Sequence, residues 1–315
     1  MLERIATYNI TVDGDENFID MITGENLNHI GKKYSLMKFG SYQEILFFGK
    51  KMSEEFILKM KDKANPLKDR IERIKKNKEF SVFISPSSRN VESPHNFITE
   101  VAMNYINMWL SLNNLPTFIL VKLPKLTIEF ENYSSLSLDD RIVKMNNDTT
   151  IPLNCRFRKR QINIFFSDDA YITGITEDHY RKMCENNEAQ SFFSMYSLIV
   201  DPKVINHYPG IEHRLNTYFI KGELNDVVAK IINHREFRVT ERIMRLIFSE
   251  KNRAYLTNFL LQLTNSTALI KIYHAAINND FLHNEKYTGS VLILQDILRK
   301  RLFIDDNGNY YLNNI

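Results

Sequence analysis

Between residues 81 and 200 the chain repeatedly exchanges one hydrophobic period for another, and this alternation constrains the fold more than any other feature. SVFIS at 81–85 is a short apolar run ending before Pro86, FITEVAMNYINMWLSL at 97–112 carries apolar residues at helical spacing, and TFILVKL at 117–123 is again a buried-type strand. INIFF at 162–166, the polar helical pattern TEDHYRKMCENNEA at 176–189 and SFFSMYSLIV at 191–200 repeat the sequence of events. A strand, a helix and a strand within about 40 residues form a βαβ unit, whose strands are parallel because the crossover returns the chain to the same end of the sheet. Two such units predict an α/β fold with a parallel sheet covered on both faces.

The flanks read differently. Residues 1–80 open with short strand-like pieces, then place Ile45, Phe48, Met52, Phe56 and Leu58 at near-helical spacing. The charged stretch KMKDKANPLKDRIERIKKNKEF interleaves both signs, which fits a solvated helix face with i,i+4 pairs better than a nucleic-acid patch. Residues 124–158 break the pattern with Pro124, Pro152 and many Asn, Ser and Asp residues, and so long a loop in a compact domain is functional or disordered. Beyond Gly222 the pattern is helical near 224–233, 240–248, 253–263, 266–278 and 290–301, with a hairpin signal at Asp306-Asn307-Gly308. The final LQDILRKRLFIDDNGNYYLN has the outline of a winged helix, which many small caps share. The expected division is 1–80, 81–221 and 222–315, the last a mostly helical appendage.

Composition narrows the class. With 43% apolar residues the chain can bury a substantial core, and 41 basic against 38 acidic residues give no global attraction to nucleic acid or anionic lipid. Cys155 and Cys184 are too few for a disulfide framework and lack metal-site spacing. The N-terminus has no apolar h-region, and no apolar run approaches the roughly 18 residues of a membrane span. These features together predict a cytoplasmic protein.

The chemistry is concentrated in INIFFSDDAYITGIT, from Ile162 to Thr176. An apolar strand delivers Asp168 and Asp169 at its carboxyl end, where ligands of open α/β sheets bind. Ionised carboxylates only accept hydrogen bonds, which suits the paired hydroxyls of a ribose. The chain then turns through Thr173-Gly174-Ile175-Thr176 into a helix, offering backbone N–H groups, two hydroxyls and a glycine that lets a phosphate approach the backbone. The positive end of the helix dipole lies behind this turn. Ser167 precedes the acidic pair, and Glu177 with Asp178 follows the turn; in the competing reading these acids merely favour the helix N-terminus, with Thr176 as N-cap.

This segment resembles the signature of type I phosphoribosyltransferases, which bind 5-phosphoribosyl-1-pyrophosphate (PRPP): an apolar strand, two acidic residues, three variable positions and Thr-Gly-any-Thr. The resemblance implies that Asp168 and Asp169 are catalytic residues holding the ribose hydroxyls, and that Thr173, Gly174, Ile175 and Thr176 hold the 5′-phosphate. In the family a pyrophosphate loop follows the first core strand, where this chain has Pro86-Ser87-Ser88-Arg89-Asn90; Ser87, Ser88 and Arg89 are the implied pyrophosphate contacts, Arg89 through its bidentate guanidinium. Mg²⁺ is the implied cofactor, held by PRPP and water with no direct protein ligand. Residues 124–158 take the place of the family's flexible loop, with Tyr133, Ser134, Arg141 and Lys144 as candidates to reach pyrophosphate.

KYSLMKFGSYQEILFFGKK is similar to an element that precedes the core in phosphoribosyltransferase-like proteins of bacterial conflict and retron systems and helps form a hood; Lys38, Phe39 and Gly40 carry the similarity, although packing of Tyr34, Met37 and Phe39 explains the same pattern. The expected function is transfer of ribosyl-5-phosphate from Mg-PRPP to a nitrogen acceptor with release of pyrophosphate. The alternatives are a PRPP- or nucleotide-sensing effector of a bacterial antiviral defence system and a DNA-binding regulator. In the first the helical C-terminal region docks a protein or nucleoprotein partner, with Arg235, Arg238, Arg242 and Arg245 and the aromatic Tyr255, Phe259 and Tyr273 as candidate contacts, and in the second its winged-helix-like end binds DNA. Pairing of those arginines with Glu236, Glu241 and Glu250 is the simpler account of the stripe. His207 and His213 flank a loop, His179 lies just past the phosphate turn, and the other histidines, His95 among them, are scattered.

Overall fold

A computed structural model of the protein describes residues 4–125, 139, 140, 143, 161–208 and 210–309. Among the described residues six strands form one sheet: β1 (Arg4–Val12), β2 (Phe18–Asp20), β3 (Phe80–Ile84), β4 (Ile119–Val121), β5 (Ile162–Tyr171) and β6 (Ser191–Val200), in the order β2-β1-β6-β5-β3-β4. Every pairing is parallel except that of β2 with β1. The helices are α1 (Asn28–Lys38), α2 (Tyr42–Lys61), α3 (Pro66–Asn77), α4 (Pro94–Leu112), α5 (Ile175–Asn186), α6 (Pro202–His207), α7 (Ile211–Thr217), α8 (Asp226–Asn233), α9 (Glu241–Phe248), α10 (Arg253–Gln262), α11 (Ser266–Asn278) and α12 (Glu285–Lys300). No described helix is long and apolar enough to cross a membrane.

The four strands expected between 81 and 200 are all present, and the run INIFF explains itself by burial on both faces. Successive strand residues point to opposite sides. On one side Ile164 and Phe166 join Val82, Ile84, Tyr180, Cys184 and Tyr196 in a buried cluster. On the other, Phe165 meets Phe118 at 4.4 Å between ring centroids and Phe193 at 5.5 Å, with Phe83 and Phe56 beside them. A strand covered on both faces cannot alternate apolar with polar, which is why the sequence shows a continuous run. Ile45, Phe48, Met52 and Phe56 form the buried stripe of α2, but Leu58 is exposed, since it falls two residues after Phe56 and outside the stripe.

The topology positions the site. From β3 the chain crosses through α4 outward to β4; from β5 it crosses through α5 to β6 in the opposite direction along the sheet. The direction of winding therefore reverses between the neighbours β3 and β5, and the crevice at their carboxyl ends is where open α/β sheets bind ligands.

The chain divides into two compact units, Met1–Gly31 with Ile45–Arg89 and His95–Leu215, and Lys32–Glu44 with Asn90–Pro94 and Asn216–Ile315. The first contains the sheet. The second has its own core, with Ile243, Ile247, Leu260, Leu269, Val291 and Leu298 buried and the rings of Phe281 and Tyr287 stacked at 4.4 Å. Asn225, Thr240, Asn265 and Asn284 cap the helices that follow them, each accepting from a first-turn amide. Phe259 and Tyr273 belong to this core and are not the exposed aromatic contacts expected from sequence; only Tyr255 of the three faces solvent. Helical periodicity predicts burial for such positions, and an aromatic on that stripe packs inward. Arg245 pairs with Glu241 at 2.6 Å and Arg235 with Glu236 at 3.8 Å, as the simpler reading of the stripe has it. In the terminal turn Asp305 accepts from the amides of Asn307 and Asn309; the second arm of the expected hairpin lies outside the described residues.

The Lys38-Phe39-Gly40 element packs within the second unit. Tyr34, Met37 and Phe39 are buried, and Gly40, at φ +87°, exchanges a backbone contact with Arg238. A Cβ at Gly40 would stand 1.9 Å from the Arg238 carbonyl oxygen, so close backbone approach accounts for this glycine.

Candidate functional site

The acidic pair lies near the end of β5 and is buried. The strand runs on through Tyr171, so only Ile172 to Gly174 separate it from α5. Gly174 is the N-cap, at φ +80°, and α5 begins at Ile175; Thr176 therefore lies inside the first turn and is not the cap that the competing sequence reading made it. The physical reason is the glycine, which reaches the left-handed region without strain and turns the chain into the helix earlier than a hydroxyl cap at 176 would. Gly174 has no side chain with which to cap α5, so the first amides of the helix have neither an intrahelical partner nor a capping oxygen from that position.

Beneath this turn is a charge network that sequence reasoning did not find. Glu177, fully buried, accepts from Arg4 Nε at 2.8 Å, Tyr196 Oη at 2.7 Å and Ser194 Oγ at 3.0 Å, and pairs with Arg181. Burial pushes the Glu177 carboxyl up, but hydrogen bonds from Arg4, Tyr196 and Ser194 with the Arg4 charge outweigh it and hold the group below the usual carboxylate range. Burial, then the Glu177 charge, raises the Tyr196 hydroxyl, and the bond to Glu177 raises Arg4. Arg4 also stands 4.2 Å from the centroid of the Tyr171 ring, whose hydroxyl would lie 2.6 Å from a Cβ at Gly174. Glu177, the acid that follows the turn, is thus neutralised by two arginines and directed into the protein. Its partners come from β1, α5 and β6, so only the tertiary fold assembles them.

The loop after β3 is held to α5 by the Ser87 amide, which donates to Tyr180 Oη at 2.6 Å. The Ser88 amide donates to the Leu123 carbonyl at 3.1 Å. Both amides are committed internally, so what Ser87 and Ser88 can offer an anion is their hydroxyls; Arg89 is partly exposed in the same loop. Tyr133, Ser134, Arg141, Lys144 and Cys155 lie outside the described residues. His207 Nδ1 lies 2.7 Å from the Lys203 carbonyl oxygen of its own helix, to which it can only donate, and His213 is exposed in α7.

His95, in the first turn of α4, is the residue the sequence reading passed over. Its Nδ1 stands 3.7 Å from Asp168 Oδ1, and one ligand atom from each of His95, Asp168 and Asp169 lies within 4.8 Å of the others. The signal was in the sequence: a helix that follows a parallel strand begins at the carboxyl end of the sheet, and His95 follows the helix-starting Pro94.

The family model described as PRTase ComF-like matches residues 21–294. The chain belongs to this phosphoribosyltransferase-like family, and its largely parallel six-stranded sheet with helices is the type I phosphoribosyltransferase-like fold. No curated protein and no solved structure shows a significant match to the chain.

Proposed function

We propose that the protein binds Mg-PRPP at the carboxyl ends of β3 and β5 and transfers its ribosyl-5-phosphate group to a nitrogen acceptor. The observation that carries the reading is the juxtaposition, at the sheet's switch point, of a buried carboxylate pair with a short turn into an uncapped helix N-terminus. Asp168 and Asp169 accept from the ribose hydroxyls. The amides of the turn and first helical turn, with the hydroxyls of Thr173 and Thr176, hold the 5′-phosphate. Ser87, Ser88 and Arg89 hold pyrophosphate. The bond from the anomeric carbon to pyrophosphate breaks, a bond to the acceptor nitrogen forms, and the nitrogen's proton is lost. Positioning and stabilisation of the departing charge supply the acceleration.

Mg²⁺ would be held by the oxygens of PRPP and by water, with no direct protein ligand, and when bound would neutralise pyrophosphate charge; it favours oxygen ligands and keeps several waters, which this arrangement supplies. A second reading, an effector that senses PRPP or a nucleotide in a defence system, draws support from a helical unit with a core of its own, more than catalysis at the sheet needs.

Calorimetric titration with PRPP and Mg²⁺, then a pyrophosphate-release assay over a panel of bases, tests both readings. Binding with turnover supports the transferase, and binding without turnover the sensor. Replacing Asp168 and Asp169 together by Asn is expected to weaken PRPP by roughly ten- to hundredfold per residue, from about 1.5–3 kcal/mol per charge-assisted hydrogen bond. Unchanged affinity in a folded double variant removes the ribose assignment.

A further inference from the structure

We infer that His95, Asp168 and Asp169 form a divalent-cation site in which the protein itself supplies an imidazole ligand, selective for a transition-metal ion over magnesium. The inference shares its two aspartates with the phosphoribosyl reading but does not rest on it.

The argument begins with the tautomer. His95 Nε2 lies 3.2 Å from the Pro86 carbonyl oxygen, which can only accept, so Nε2 carries a proton and donates. In the neutral ring Nδ1 then presents a lone pair, and it faces Asp168 Oδ1 at 3.7 Å. That separation is too long for a hydrogen bond. It is close to the spacing of two ligands on one ion, roughly 3–3.5 Å for bonds of about 2.0–2.2 Å at tetrahedral or octahedral angles. Asp169 completes the group within 4.8 Å. Histidine ligands characteristically donate their second nitrogen to a carbonyl or carboxylate, which fixes ring orientation, and the bond to Pro86 is of this kind.

The surroundings hold the ring where the site needs it. Thr99 Oγ1 lies 2.7 Å from the His95 carbonyl and 3.1 Å from Ser167 Oγ, tying the first turn of α4 to β5 immediately before the aspartates. Asn96 donates to Ser85 Oγ at 2.7 Å and to the Pro86 carbonyl at 3.2 Å. Ser167, a completely buried polar side chain directly before the two aspartates, thereby has a use. An imidazole suits first-row transition ions, whereas magnesium favours oxygen alone, so one histidine beside two carboxylates favours a transition ion, for which Mn²⁺ is a paramagnetic probe.

The test uses the full chain with MnCl₂ and no phosphorylated ligand. Loss of the free-ion paramagnetic resonance signal should count one tightly bound Mn²⁺ per chain. Pulsed resonance should show nitrogen hyperfine coupling from one imidazole, a readout that needs no variant. His95→Ala should weaken Mn²⁺ by about tenfold or more and abolish the coupling, and Asp169→Asn should weaken it while keeping the coupling. In a thermal melt Mn²⁺ should raise the midpoint of the unsubstituted protein and not that of His95→Ala. Absence of binding, binding without nitrogen coupling, or binding that His95→Ala leaves unchanged would each overturn the site. Mn²⁺ that binds only after PRPP is added would also overturn it while leaving the phosphoribosyl reading intact; Mn²⁺ bound with no PRPP affinity would do the reverse.

Discussion

Replacing Glu177 by Gln removes one negative charge and changes almost no volume, so its effect isolates the electrostatics beneath the turn that leads into α5. One carboxylate oxygen accepts from Arg4 Nε, Ser194 and Tyr196, and the other from Arg4 Nη2 and Arg181. A glutamine presents one oxygen and one NH₂. If the oxygen takes the first place, the NH₂ faces two guanidinium donors; if it takes the second, the NH₂ faces Arg4 Nε and two hydroxyls that would have to reverse. Either way, two arginines remain beside one another without the charge that neutralised both. Removing one partner of a buried ion pair costs about 3–5 kcal/mol, and the lower end applies because Arg4 is 28% exposed and can reach water. A loss of about 3 kcal/mol moves a urea midpoint by roughly 1–1.5 M at a slope of about 2–3 kcal/mol/M. The pH dependence gives the sign. The Glu177 carboxyl is held below its ordinary value, so its contribution is complete above the ordinary carboxylate range and is lost as pH falls through the depressed folded-state value. Urea titrations followed by circular dichroism should therefore show the largest gap between parent and Glu177→Gln near neutral pH and a shrinking gap below about pH 4. Equal midpoints at neutral pH, or a gap that stays constant into acid, would refute the argument.

Gly174→Ala should destabilise by more than about 1 kcal/mol, because φ is +80° and the new Cβ meets Tyr171 Oη at 2.6 Å; combining it with Tyr171→Phe should recover part of the loss in a thermal melt, and no recovery would show that backbone strain alone is responsible. Gly40→Ala should be worse, since the obstacle at 1.9 Å is the Arg238 backbone: hydrogen exchange is expected to accelerate at 37–41 and 238–244, and unchanged protection there would contradict the close approach. Cys184 is buried with its thiol pushed up to about 12, so in a Cys155→Ser background it should resist iodoacetamide at about pH 8 until the protein unfolds; rapid labelling of the native protein would show that the α5 face opens.

Much of this protein was legible in one dimension because the signals are local. The apolar runs at 81–85, 162–166 and 191–200 had to be strands in a doubly covered sheet, and the Asn and Thr caps of the C-terminal helices stand one residue ahead of the helices they start. Asp168, Asp169 and Gly174 were visible for the same reason: strand, acids, turn and helix are contiguous, so their order specifies their geometry. Three-dimensional neighbours separated by long stretches of chain were not. Placing β1 against β6 brings Arg4 to Glu177, and placing β3 against β5 brings the first turn of α4 to the acidic pair. Gly40 reads as part of a motif in sequence and as a backbone contact with Arg238 in the fold. Period and capping are short-range properties that each segment carries by itself, whereas the partner of a buried charge, or of a histidine beside two carboxylates, depends on which strands lie side by side, and only the packed sheet decides that.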